Sequence, residues 1–261
     1  MKKIHKVAII SGSSKGIGLG LAKKFLKKNY NVLINSRNFV ELNHVYKDLK
    51  KKFPSRILMV CGDISKTSTL KMIEKNILIK WNRVDVLIAN AGDISNKKTN
   101  NKNWLINKNF ITSKKFIDFF YKYLIKTEGS IIFISSIVAL IKTKAPIGYT
   151  MSKKLVNTYG KKLSIKLAKY NINVNIIAPG NIYFKNGNWF DKLKKDPKTI
   201  TKYIKDNFSM EKMTEKFTEI MDAHVKVPEA VALKLPMLKK VGSTSNTPGQ
   251  IKLPKLKKVE V

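Results

Sequence analysis

The sequence predicts an α/β fold, a doubly wound parallel sheet in a single domain with helices on both faces. Three observations carry that expectation. Short apolar runs alternate with longer helical patterns from residue 6 to 178. Those runs are apolar on both sides in their middles, as strands covered by two helical layers must be. The length, 261 residues, suits one domain with a sizeable core.

The strand runs are Lys6–Ile10, Asn31–Asn35, Arg56–Cys61, Val84–Ala89, Ser130–Ser135 and Ile172–Ala178. Helical spacing covers Gly16–Asn29, Asn38–Lys52, Lys66–Trp81, Lys102–Lys126 and Tyr149–Tyr170. In the first, Ile17, Leu21, Phe25 and Leu26 form one stripe while Lys23, Lys24, Lys27 and Lys28 face away. Such alternation builds a parallel sheet through right-handed crossovers. Past residue 180 two further helices are expected, Asn186–Asn207 and Met210–Ala223, with a flap at about 184–207. A Pro/Lys-rich tail follows at 226–261, where Pro228, Pro236, Pro248 and Pro254 argue against regular structure.

Composition excludes several function classes. Cys61 is the single cysteine, which removes a disulfide framework and any Cys-cluster metal site, so no metal is expected. No apolar run approaches the roughly 18 residues of a membrane span. Met1 to His5 is basic, but Val7–Ile10 is too short for a secretory signal. The expectation is a soluble, cytoplasmic protein without a targeting segment or membrane partner. The net charge of +35 raises nucleic acid as a partner. Yet Arg37, Arg56 and Arg83 are the only arginines, leaving 49 of the 52 basic residues as lysines spread over almost every expected helix. Specific readout favours clustered arginine. No specific nucleic acid partner is expected, only salt-sensitive adhesion to polyanions.

Directly after the first strand comes Ser11-Gly12-Ser13-Ser14-Lys15-Gly16-Ile17-Gly18, opening a helix. Gly12 permits a tight turn, and Gly16 and Gly18 let backbone N–H groups approach a pyrophosphate at the helix start. A plain Gly/Ser turn is the alternative. The second strand ends Ile34-Asn35-Ser36-Arg37-Asn38, without the acid that holds a ribose diol. Ser36 and Arg37 instead suit a 2′-phosphate, with Lys15 assisting, so NADP(H) is expected in preference to NAD(H). An ordinary surface arginine is the other reading. Asp63 and Ile64 follow the third strand, and Asn90, Ala91 and Gly92 the fourth, all on the edge where ligands of open α/β sheets lie. Asp63 could accept from an adenine amino group.

Tyr149 and Lys153 are four apart and share one helical face. A phenol titrates near about 10, and a neighbouring ammonium favours its phenolate. Ser136 could hydrogen-bond a substrate oxygen. The Asn109 amide could hold a water joining Lys153 to solvent. Taken singly, such a Tyr and Lys are more often plain surface residues.

Taken together, these markers resemble the short-chain dehydrogenase/reductases, in the subgroup that includes the 3-oxoacyl-carrier-protein reductases. The resemblance covers roughly residues 4–220, with Ser11 where the family usually has Thr, and with Pro179-Gly180 matching its P-G motif. It implies a Rossmann-like domain over 1–225 and hydride transfer between nicotinamide and a carbonyl or secondary alcohol of a small-molecule substrate. Tyr149 would be the general acid/base. Lys153 would bind the nicotinamide ribose, Ser136 would orient substrate and Asn109 would support the proton relay. Pro179, Gly180 and Ile182 would border the carboxamide, and a homo-oligomer, dimer or tetramer, is implied. A catalytically inactive cofactor-binding or scaffold member of the fold is the alternative. Phe184 replaces a usual Thr, and Trp189, Phe190 and Tyr203 fall in the flap, as substrate wall or helix core. After Gly249-Gln250-Ile251, Lys252-Leu253-Pro254-Lys255 stands where the family has V-D-G-G.

Overall fold

The computed structural model describes residues 4–93, 102–143, 145–180 and 182. Six parallel strands form one sheet: β1 Val7–Ile10, β2 Asn31–Ser36, β3 Ile57–Cys61, β4 Val86–Ala89, β5 Ser130–Ile134 and β6 Asn173–Ile177. Their spatial order is β3-β2-β1-β4-β5-β6. The chain builds outward from β1 to β3, then crosses back to lay β4 beside β1. That reversal opens a crevice beyond the carboxyl ends of β1 and β4, and crevices of this kind are where open α/β sheets bind ligands.

Helices cover both faces: α1 Gly16–Lys27, α2 Phe39–Lys52, α3 Thr67–Lys80, α4 Lys102–Ile106, α5 Thr112–Phe120 and α6 Ile147–Leu167. Every residue of β1, β4 and β5 is buried. Alternation along each strand divides the core into two layers. Ile9, Leu87, Ile131 and Phe133 pack with Phe116 and Phe120 on one side. Ala8, Ile10, Ile88 and Ile132 pack with Leu21, Phe25 and Leu26 of α1 on the other. The expected stripe on α1 is therefore its buried face, with Ile17 at its margin.

One element differs from expectation. The helix expected over Lys102–Lys126 is not continuous: a π-turn at Asn107–Ile111 separates α4 from α5, and a 3-10 turn at Tyr121–Thr127 follows. The cause is side chains capturing backbone carbonyls. Asn109 Nδ2 donates to the Leu105 carbonyl at 2.9 Å, and Thr112 Oγ1 donates to the Asn107 carbonyl at 2.9 Å. Apolar periodicity runs through this break unchanged, so it does not betray it.

The expected helices at 186–207 and 210–223, the flap at 184–207 and the tail at 226–261 lie outside the described residues. Among the described residues no helix is long and apolar enough to cross a membrane. Phe133 is fully buried in β5, edge-on to Tyr159 with ring centroids 5.8 Å apart. Phe133→Ala should cost about 3–5 kcal/mol in urea unfolding; a loss below about 1 kcal/mol would contradict this packing.

Candidate active site

A cleft of about 410 Å³ runs along the carboxyl ends of the strands. It brings together eighteen of the residues singled out by the sequence. From the glycine loop come Gly12, Ser14, Lys15, Gly16 and Ile17, and from the end of β2 come Ser36 and Arg37. Asp63 and Ile64 line it after β3, and Asn90, Ala91 and Gly92 after β4. Asn109, Ser136, Tyr149, Lys153, Pro179 and Gly180 complete the set.

Gly18 and Ile182 do not line the cleft. For Gly18 the reason is packing: a Cβ there would stand 2.4 Å from the Gly12 carbonyl oxygen and 2.6 Å from Asn90 Nδ2. Its missing side chain lets α1 dock on the glycine loop, a different task from meeting a pyrophosphate. Ile182 is half-buried.

The glycine loop is held by a latch the sequence reading did not foresee. Ser11 Oγ accepts from the N–H groups of Asn90 and Ala91 at 3.0 and 3.1 Å. In return Asn90 Nδ2 donates to the carbonyls of Ser11 and Gly12 at 3.0 and 2.8 Å. Asn90 is thus a clamp between the β1 and β4 loops. Gly12, at φ +64°, makes the turn from β1 towards α1. Beyond it α1 begins at Gly16 with no side-chain cap and no acid in its first turn. Its leading N–H groups and dipole are left for an anion.

At the β2 end the structure adds a residue. Glu41, in the first turn of α2, accepts from Lys15 Nζ at 3.5 Å and from Ser14 Oγ at 3.3 Å. The stretch Ile34–Asn38 itself carries no acid, and this one comes from the helix that follows it. After β3, Asp63 Oδ1 accepts from the Ser65 N–H at 2.9 Å and hydroxyl at 2.7 Å, and Oδ2 faces Lys108 Nζ at 3.4 Å. Burial alone would raise the Asp63 carboxyl, but Ser65 and then Lys108 outweigh it and hold it at about 2. An adenine amino group would share Oδ2 with Lys108, which also lines the cleft.

At the opposite end, Ser136 lies two residues beyond β5, capping the short turn Ile137–Ala139. The Ile137 N–H ties that turn to the Pro179 carbonyl at 3.0 Å. Tyr149 sits in the first turn of α6, and Lys153 one turn on is only 5% exposed. Lys153 Nζ donates to the Ile134 carbonyl at 2.9 Å and lies 5.6 Å from the Tyr149 ring centroid. Asn109 is buried in the π-turn, and its amide is bonded to backbone on both sides of the corner. Its Oδ1 accepts from the Asp93 N–H at 3.1 Å, and its Nδ2 donates to the carbonyls of Asp93 and Leu105 at 2.8 and 2.9 Å. Asn109 therefore clips the β4 loop to the π-turn. Gly92 keeps this corner open: a Cβ there would stand 2.5 Å from Asn109 Oδ1 and 3.7 Å from Lys153 Nζ.

Burial dominates the electrostatics here. It pushes the Tyr149 phenol above its ordinary value, and a hydrogen bond with the Ser136 hydroxyl only partly offsets this. The expected lowering by Lys153 is not what the protein alone displays. Burial also brings Lys153 down from 10.5 to about 8. Lys153 thus gives up its proton before the phenol does, and an amine without charge favours no phenolate.

The strand order, the glycine loop after β1 and the cleft at the switch point define a Rossmann-like dinucleotide-binding fold. A family model described as short chain dehydrogenase matches residues 6–190. The chain is 31% identical over 185 residues to a 3-oxoacyl-(acyl-carrier-protein) reductase of Chlamydia trachomatis, covering 69% of this chain and 75% of that one. It is 30% identical over 194 residues to a dehydrogenase/reductase SDR family protein 7-like of Dictyostelium discoideum, spanning 68% of this chain and 59% of that protein's length. The L-sorbose reductase of Gluconobacter frateurii, solved with NADPH and L-sorbose, superposes with a TM-score of 0.72 at 25% identity, over 82% of this chain and 88% of that one. The chain belongs to the short-chain dehydrogenase family, and so to the oxidoreductases.

The buried amine has a consequence for stability. Between about 8 and 10.5 the unfolded chain holds a proton on Lys153 that the folded chain lacks, so this group's contribution rises with pH across that window. Below about 8 the full cost of the buried ammonium applies, on the order of 3 kcal/mol, less its bond to Ile134. Lys153→Met should therefore be more stable than the parent at pH 7 by about 1–3 kcal/mol in urea unfolding, with the gain lost near pH 10.5. A variant that is destabilised equally at both pH values would contradict this.

Proposed function

We propose that this chain is an NADP(H)-dependent oxidoreductase that interconverts a carbonyl and a secondary alcohol on a small molecule, with Tyr149 as general acid/base. The observation that carries the reading is a single cleft: the uncapped start of α1 and Arg37 lie at one end, and Ser136, Tyr149 and Lys153 at the other. The residues fit a nicotinamide dinucleotide. The first N–H groups of α1 would take the pyrophosphate, and Ser36, Arg37 and Lys15 a 2′-phosphate. Asp63 and Ile64 would border the adenine, the Asn90–Gly92 backbone would pass close to the cofactor, and Pro179 and Gly180 would flank the carboxamide. When bound, the cofactor supplies or accepts the hydride.

Tyr149 Oη then gives a proton to the carbonyl oxygen, or takes it from the alcohol. The Ser136 hydroxyl, which lines the same end of the cleft, orients the same oxygen. Lys153, pinned to Ile134, would reach the nicotinamide ribose. Asn109 supports the relay by holding the loop and π-turn in place around Lys153. NADP(H) over NAD(H) is supported by Arg37 and Lys15 and by relatives in structure solved with NADPH or NADP. A homo-oligomer, dimer or tetramer, is supported by the exposed Ile147, Met151 and Leu155 on successive turns of α6. Action in the cytoplasm is supported by the lack of a membrane-crossing helix among the described residues and by the free Cys61.

The test is a panel of carbonyl substrates followed by NADPH oxidation, with NADH in parallel. Tyr149→Phe should lower turnover at least about a hundredfold while leaving NADPH affinity nearly unchanged. Equal loss of both, or no oxidation on any substrate, would overturn the reading.

A further inference from the structure

Glu41 is the third residue of α2, where a capping-box glutamate would turn back to the N-cap N–H. Only half of that box closes here. Asn38 Oδ1 accepts from the Glu41 N–H at 3.1 Å, but the Asn38 N–H goes to Ser36 Oγ at 3.4 Å. The freed carboxylate reaches the glycine loop instead, with Oε1 3.5 Å from Lys15 Nζ and Oε2 3.3 Å from Ser14 Oγ. Ser14 Oγ in turn lies 3.1 Å from Ser36 Oγ. Ser14, Lys15 and Ser36 all line the cleft. One carboxylate thus engages the Lys15 ammonium that would meet a phosphate at this end, and reaches the Ser36 hydroxyl through Ser14.

We propose that Glu41 sets the discrimination between NADP(H) and NAD(H), acting as a built-in competitor for the 2′-phosphate subsite. The proposal rests on the cofactor reading above. A phosphate arriving at Lys15 must displace the carboxylate or lie beside it, and like charges about 4 Å apart oppose each other even in water. A ribose with a free 2′-hydroxyl faces no such conflict, because it can donate to Glu41. The carboxylate therefore narrows the preference that Ser36, Arg37 and Lys15 create.

Glu41→Gln tests this. It removes one charge, keeps the side-chain shape and leaves the cap on the Glu41 N–H intact. Dissociation constants for NADPH and NADH are measured by fluorescence titration on both proteins in one low-salt buffer. The variant should bind NADPH at least about fivefold more tightly, with NADH unchanged or weaker, and the gain should shrink as salt rises. A parallel change in both affinities, no change, or weaker NADPH binding overturns the proposal while leaving the cofactor reading standing. If the parent protein binds neither dinucleotide, the cofactor reading fails and this proposal fails with it.

Discussion

The site is organised around an amine sealed beneath the surface. Lys153 lies at 5% exposure with the Ile134 carbonyl as its hydrogen-bond partner, and the residues around it make that position possible. The end of β5 presents the carbonyl. Gly92 leaves room in front, and α6 approaches closely enough to bring Tyr149 alongside. Holding a cation there is unfavourable in itself, since burial takes it from 10.5 to about 8. A fold that keeps such a group weakens its own core for a purpose outside stability, as functional sites commonly do.

The phenol beside it obeys the same physics with the opposite sign. Burial disfavours the phenolate, and the Ser136 hydrogen bond does not restore it. Without a ligand, the pair is an ammonium next to a neutral phenol at pH 7. In the proposed function, an oxidised nicotinamide ring would add positive charge beside the phenol and so favour proton release. At the far end the logic is reversed. The chain carries +35 in net charge, yet Lys15 of the glycine loop is paired with a carboxylate, that of Glu41.

Much of this was legible in the sequence because parallel strands and glycine loops write strong local patterns. All six strand runs lie within a residue or two of β1–β6, since Val and Ile concentrate in them, and β1, β4 and β5 are buried throughout. Tyr149 and Lys153 could be paired from helical spacing alone. What escaped were contacts made by polar side chains to distant backbone. Asn90 and Ser11 form their latch across a separation of 79 residues, which no periodicity encodes. The π-turn depends on where the Asn109 and Thr112 side chains point. Lys108 is one lysine among 49, and nothing in its neighbours marks it as the partner of Asp63. Glu41 did carry a signal, the N-x-x-E pattern at the start of α2, but that pattern normally closes on its own cap.

Charge in this cleft controls one phenol, and phenolate absorbance measures that control directly. The spectrum of the parent protein minus that of Tyr149→Phe, followed from neutral to alkaline pH, isolates Tyr149 from the chain's other tyrosines. Without ligand the phenol should titrate above its ordinary value of about 10, and saturation with NADP⁺ should bring it down by about one pH unit or more. A phenol that titrates normally in the free protein, or one that NADP⁺ leaves unmoved, would contradict the account.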